Sequence, residues 1–350
     1  MLHALTTLNA GTNTVGVKGD MNSQSYDTLG SKRLLTRVLP QSKKSRINMI
    51  TAIVAAVLVL ILSLTIPHFM KVRNILNILE QLSILGFIAI GMTYVMVSGG
   101  IDLSMHTVVS AACVVGASVM VGGFSPIIGC LLMILVGIGF GLINGIAIAF
   151  GRMTPFIVTL STMVLAQGFA IWYTKAESIF GLSQSYIDTV SGKLFGFIPI
   201  PALIIIVIAV IAGMILAKTK YGRWIYLTGN NEQTARVSGL PTRFTKFSTY
   251  VFSGMMAGIT AIVLTAIVRT ATTSMVRDER LMDVIASTVI GGASLQGGSG
   301  SVIGTMLGLL FITVMGNCFN LIGISPFVAM VIKGFILVLI IGLDVLRSRS

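Results

Sequence analysis

From residue 49 onward the chain is a succession of apolar runs, each about as long as a lipid hydrocarbon core is thick, separated by short polar or glycine-rich breaks. Crossing a core of about 30 Å takes roughly 20 consecutive apolar residues in a helix. Candidate spans fall at 49–66, 78–98, 103–122, 126–150, 155–174, 198–217, 248–269, 283–296, 301–320 and 325–345. The pattern predicts an all-α, polytopic transmembrane helix bundle of about ten spans, some of them short or glycine-broken. With 55% hydrophobic and only 10% charged residues, against roughly 25% charged in a soluble domain, the chain has too little polar surface to fold in water. No separate soluble domain fits beside the spans.

Charge placement sets the expected topology. Residues 1–48 are polar and basic, with Lys18, Lys32, Arg33, Arg37, Lys43, Lys44 and Arg46 against Asp20 and Asp27, and read as a disordered cytoplasmic tail. The first apolar run begins too far from the start for a cleaved signal peptide. The 218–247 stretch carries Lys218, Lys220, Arg223, Arg236, Arg243 and Lys246 against Glu232 alone, so it is expected on the cytoplasmic side. Six spans before it and four after return both termini to the cytoplasm. The formal charge of +13 therefore reads as topology: the basic residues sit at the ends of apolar runs rather than on a surface suited to nucleic acid. Cys113, Cys130 and Cys318 lie inside apolar runs without metal-ligand spacing, as small packing residues do.

Three stretches stand out from the apolar background. In 98–104 the order Ser-Gly-Gly-Ile-Asp-Leu-Ser puts Asp102 between two spans. A charged Asp at the centre of a span costs about 2.5–3.5 kcal/mol on insertion scales. Either Gly99 and Gly100 break the helix and Asp102, with Ser104 nearby, caps the next one at a re-entrant corner beside a pathway, or Asp102 is a plain N-cap in a loop. In 291–300, Gly291, Gly292, Gly297 and Gly298 mark either a cavity-lining turn or close packing. Gly300, Gly304 and Gly308, like Gly137, Gly141 and Gly145, recur every four residues and form smooth ridges against which another helix packs. In the basic loop, Asn231 caps a short helix running to Ser238, ended by Gly239 and Pro241. Such a helix either docks a partner or lies on anionic headgroups.

Taken together, tracts 98–104 and 222–239, the Gly-Leu-Ile-Asn-Gly of 141–145 followed by Pro-Phe-Ile-Val-Thr-Leu at 155–160, and tract 291–304 resemble the sugar permeases of bacterial ABC importers. The ribose branch, which also includes arabinose, xylose, galactose and autoinducer-2 permeases, is the nearest likeness, over about residues 49–345. The resemblance implies a permease subunit in the bacterial inner membrane importing ribose or a related sugar. It also implies a second permease copy, a separate ATPase that holds ATP and Mg, and a periplasmic or lipid-anchored sugar-binding protein. It adds Asn144, Phe156 and Thr159 to Gly99, Gly100, Asp102, Ser104 and the four tract glycines as pathway or gating candidates. Gln233, Thr234 and Ala235, with Gly239 four residues on, resemble the family's EAA-type coupling loop; Gln and Thr replace its first two residues, and Glu232 and Arg236 flank it. Closure of the ATPase dimer would then rock the spans between inward-open and outward-open states.

The chain itself carries no phosphate-binding Gly-x-x-x-x-Gly-Lys-[Ser/Thr] motif, and His3, His68 and His106 form no catalytic or metal constellation. An ion-coupled secondary transporter is the competing expectation. It would need ionisable residues within the spans, and Glu80 and Asp102 both sit at span ends. No filter-like motif suggests a channel.

Overall fold

A computed structural model describes residues 68–335 together with 66 and 338. The basic tail and the expected span 49–66, except for residue 66, lie outside the described residues, and the architecture below belongs to the unit 45–350. In order, the helices are α1 Val72–Val97, α2 Met105–Val121, α3 Pro126–Ala149, α4 Pro155–Thr174, α5 Gln184–Ser191, α6 Ile200–Lys218, α7 Lys220–Asn230, α8 Glu232–Val237, α9 Thr242–Val268, α10 Asp278–Ile290, α11 Val302–Leu321 and α12 Pro326–Phe335. Six of them, α1, α3, α4, α6, α9 and α11, are long and apolar enough to cross a membrane. The protein is an all-α polytopic bundle; among the described residues there is also a small antiparallel hairpin, β1 Lys193–Leu194 with β2 Ile198–Pro199, in which Leu194 pairs with Ile198, and one isolated bridge between Ile179 and Ala271.

Local sequence explains where these helices begin. Proline occupies the first turn of α3, α4 and α6, where its missing N–H would have no intrahelical partner anyway. The Ser301 hydroxyl accepts from Gly304 N at the start of α11. Several boundaries differ from the sequence expectation, among them the start of α1 at Val72 rather than 78. α9 starts at Thr242 rather than 248, because its basic first turns are helical although they lie in the charged loop. α10 starts at Asp278 rather than 283 and stops at Ile290, ahead of the glycine run. The expected span began at Asp283, but the helix already starts at Asp278 and Glu279, since acidic residues in a first turn favour a helix N-terminus.

α1 is the axis of the bundle. Every residue from Leu85 to Ser98 is buried, and the helix packs against α9, α11, α6 and α10, as expected of a helix that is apolar all round. α3 and α6 instead direct Ile127, Leu131, Leu135, Ile206, Val207 and Ile211 outward, an apolar exterior suited to hydrocarbon. The glycine ridge of α3 seats against the backbone of α9, with Gly141 against Tyr250 and Gly145 against Phe247, so small residues let these two helices approach closely. Gly308 faces the backbone of α10 at Ser287, and Gly304 faces Gly291. Cys113, Cys130 and Cys318 are free thiols.

Among the described residues, two polar contacts join α1 to α11: the Thr93 and Thr305 hydroxyls lie 2.8 Å apart, and two asparagines form a clasp. Asn74 Nδ2 donates to Asn317 Oδ1 at 3.0 Å, Asn317 Nδ2 donates back to Asn74 Oδ1 at 2.8 Å, and both residues are buried. A double-mutant cycle of Asn74→Ala and Asn317→Ala in detergent or bilayer should give a coupling of about 1 kcal/mol, the scale of interhelical hydrogen bonds in membranes. Additive losses would mean the two amides act separately.

Candidate functional site

The break at the end of α1 sends the chain back into the bundle. A Cβ placed on Gly91, six residues short of the end of α1, would stand 2.8 Å from Met105 Cε and 3.1 Å from Ser253 Cα. α2 therefore starts beside the interior of α1 and α9 rather than at a bundle end. Ser253 itself lies roughly 16 Å along α9 from its first residue, at about 1.5 Å per residue.

Asp102 organises this corner. It is 2% exposed. Its Oδ1 accepts from Ser104 N at 3.0 Å and Ser104 Oγ at 2.6 Å, and its Oδ2 accepts from Ser253 Oγ at 2.6 Å. Asn144 Nδ2 on α3 donates to Ser104 Oγ at 2.9 Å, and Tyr250 on α9 donates to the Ile101 carbonyl at 3.2 Å. One carboxylate thus fastens the α1–α2 corner to α9 directly and to α3 through Ser104. The expectation that Asp102 caps α2 is corrected: the N-cap is Ser104, without a side-chain cap bond, and Asp102 closes an Asx-type turn just before the helix. Asn144 Oδ1 is buried without a partner.

Below this corner the two glycine-rich tracts and the basic loop meet. Gly298 N donates to the Val97 carbonyl at 2.9 Å. A Cβ on Gly297 would lie 2.7 Å from Gly99 Cα, and one on Gly298 would lie 2.9 Å from Asn230 Cα. At Gly229, the penultimate residue of α7, an added Cβ would overlap the Val97 carbonyl and stand 2.7 Å from Gly298 N. Three separate backbone segments are in contact here, with room only for glycine at the contact. Gly291 and Gly292 lie away from this point, at the C-terminal end of α10, and Gly100 abuts the Tyr250 hydroxyl.

The 218–247 stretch folds into α7, α8 and the first turns of α9. Asn231 Oδ1 accepts from Thr234 N at 2.9 Å as the α8 cap, and Gly239 leaves the helix with φ +81°. Glu232 anchors α8, accepting from Lys246 Nζ on α9 and from Arg236 Nη2, each at 2.6 Å. Partial burial opposes its ionisation, but the Lys246 and then the Arg236 hydrogen bonds and charges hold the carboxyl below the usual glutamate range. Ala235 is packed inward, whereas Gln233, Thr234, Arg236 and Gly239 are exposed and Val237 is 80% exposed. An apolar side chain held outward on a short helix tied down from behind suits a docking face.

Two candidates stand apart from both clusters. Phe156 is half-exposed on the outside of α4, and Thr159, though buried, bonds its own helix at the Pro155 carbonyl at 2.9 Å. His106 is buried, with Nε2 3.0 Å from Asp278 Oδ1. Ser253, Tyr250, Gly229 and Val237 were missed by sequence reasoning. The only signal for them was the spacing of Gly254 and Gly258, which marks α9 as the partner of the α3 ridge, and the single glycine near the end of α7.

Comparison with known proteins places this arrangement. The ribose import permease protein RbsC of Bacillus subtilis is 37% identical over 295 residues, covering 84% of this chain and 91% of that protein. Its counterpart in Haemophilus influenzae is 35% identical over 294 residues, covering 82% and 90%. The one in Escherichia coli K12 is 30% identical over 325 residues, covering 91% and 98%. No solved structure matches the chain. Residues 74–341 match the family of permease components of branched-chain amino acid transport systems, and with nearly the whole described bundle inside that match, the chain belongs to this permease family.

Proposed function

We propose that this chain is the membrane-spanning subunit of an ATP-driven ABC importer that moves a monosaccharide, ribose or a close relative, across the bacterial cytoplasmic membrane. The observation that carries the proposal is the likeness to ribose import permeases over more than four fifths of the chain, on a bundle whose basic loop holds out a small anchored helix. In this reading the chain is a transport subunit without chemistry of its own. ATP and Mg belong to a separate ATPase subunit, a sugar-binding protein delivers the solute, and a second permease copy completes the pathway. The basic 218–247 stretch faces the cytoplasm, as do both termini.

α8 is then the coupling element. Glu232, held by Lys246 and Arg236, fixes its angle; Gln233, Thr234, Arg236 and Val237 face outward to a groove of the ATPase; Gly239 turns the chain back into α9. Force on α8 passes through Asn230 and Gly229 to the ends of α1 and of the 291–300 turn, and so to the corner at Asp102. Gly99, Gly100, Ser104, Asn144, Gly297 and Gly298 act there as backbone joints or polar ties, while Gly291 and Gly292 sit apart at the end of α10. Phe156 and Thr159 have weaker support, since they join neither cluster.

The test is uptake of labelled ribose into proteoliposomes carrying the full complex, with and without ATP. Val237→Asp, on the exposed face of α8, should leave the fold intact and weaken capture of the ATPase by on the order of 30-fold, the scale of an interface anchor at about 2 kcal/mol. ATP-dependent import should fall with it. Unchanged capture and import would remove α8 from the coupling role. Ribose uptake driven by an ion gradient without ATP would overturn the importer reading in favour of a secondary transporter.

A further inference from the structure

A cavity of about 910 Å³ opens between α1, α10, α11 and α12, at the upper end of the range of small-molecule sites. Its walls hold an ion pair that the fold does not obviously need. Asp283 on α10 is 5% exposed, and Lys333 Nζ on α12 donates to its Oδ1 at 3.0 Å and its Oδ2 at 2.9 Å. Arg280 Nη1 stands 3.9 Å from the same carboxylate. On the facing wall Thr313 of α11 is 4% exposed, and its hydroxyl has no hydrogen-bond partner. With Asp283 buried and Lys333 partly so, the pair repays its desolvation poorly compared with apolar packing, and ionisable residues inside a membrane bundle mark pathways more often than staples. An unpartnered buried hydroxyl in the same lining calls for an explanation of its own.

The charge balance of the lining defines what fits. The lining includes Arg277, Arg280 and Lys333 along with Asp278, Glu279 and Asp283, three positive and three negative. A wall with no formal net charge but many donors and acceptors offers little to an anion or a cation. It suits a neutral solute rich in hydroxyls, which both accepts from an ammonium and donates to a carboxylate. We propose that this cavity is a station on the translocation pathway for a neutral polyhydroxylated solute, with Asp283, Lys333 and Thr313 as the side chains that exchange hydrogen bonds with it. The inference rests on the sugar-import reading above and adds to it the specificity-determining residues. Lys333 and Asp283 bond each other, and a passing hydroxyl takes up one of those bonds at little net cost, so the solute is held weakly enough to leave.

The test uses the complete complex in proteoliposomes with ribose as the probe. Neutralising one partner alone would leave a lone buried charge and endanger the fold, so the informative variant carries Asp283→Asn and Lys333→Gln together. It should insert, bind the ATPase and keep the ATPase stimulation given by the sugar-loaded binding protein, while ribose import falls by on the order of tenfold or more. Thr313→Val should lower import several-fold without changing complex yield. Import at the wild-type rate by both variants would overturn the proposal. So would loss of import in the paired variant accompanied by loss of the complex and of ATPase stimulation, which would make the pair a staple between α10 and α12. Failure of the wild-type complex itself to import ribose with ATP would instead bring down the underlying function and this site with it.

Discussion

Gly229→Ala is expected to abolish import, whereas Gly213→Ala is expected to leave it unchanged. At position 229 the added methyl would overlap the Val97 carbonyl and press on Gly298 N. Those two groups form the hydrogen bond, 2.9 Å long, that ties the 291–300 turn to the end of α1. Neither neighbour is the yielding tip of a long side chain; both are backbone. Overpacking against such atoms costs about 1–3 kcal/mol, and relief requires α7 to part from α1, the contact through which α8 would act in the proposed importer. At Gly213 the nearest atom would be Val302 Cβ at 3.7 Å, an ordinary contact, and alanine is the better helix former by about 1 kcal/mol. The two variants should be compared for membrane yield, capture of the ATPase and ATP-driven ribose uptake. Uptake by Gly229→Ala within about twofold of wild type, a difference worth well under 1 kcal/mol, would show that the segments can separate without consequence.

Asp102→Ala should be the most damaging polar substitution at the α1–α2 corner. It strands the Ser253 hydroxyl, the Ser104 hydroxyl and the Ser104 N–H in a site that is 2% exposed. Each buried group left unpaired costs about 1–3 kcal/mol, so the corner is expected to lose about 3 kcal/mol or more even after partial rearrangement. Asp102→Asn retains one oxygen for Ser104 and offers an amide toward Ser253, and should lose about half as much. Thermal unfolding in detergent with uptake measured in parallel distinguishes the effects. Ser253→Ala, which removes only the tie to α9, should lie between Asn and wild type. Equal melting temperatures for wild type and Asp102→Ala would mean the network carries no weight.

The class of the protein was legible because hydrophobic run length is a local quantity. A helix must satisfy its own backbone hydrogen bonds in lipid, and a stretch of about 20 apolar residues does so whatever its neighbours are. For the same reason the small helix capped by Asn231 and ended at Gly239 could be read directly, since caps and left-handed exits act within a few residues. Acidic side chains proved harder to read. The span expected to begin at Asp283 begins at Asp278 instead, and Asp283 lies buried inside α10, because the sign of a charge does not distinguish an aqueous boundary from a helix's first turn or interior. Asp102 was visible as an anomaly, yet its partners were not: Ser253 is 151 residues away.

Nothing in the order of residues indicates that Gly99, Gly229 and Gly297 share one point, or that Asp283 meets Lys333 across a cavity. Those meetings depend on which helices are neighbours, and in a membrane that choice rests on shape, since apolar faces are as content with lipid as with each other. By itself, then, the sequence determined an all-α polytopic bundle, the glycine ridges and the docking-sized helix, all consequences of local length and pattern. Only the tertiary structure decided that α2 starts within the bundle, that three glycine contacts link α7 to both broken segments, and that a charge-balanced cavity lies beside α1. Each of these is a long-range contact whose partners have no local signature.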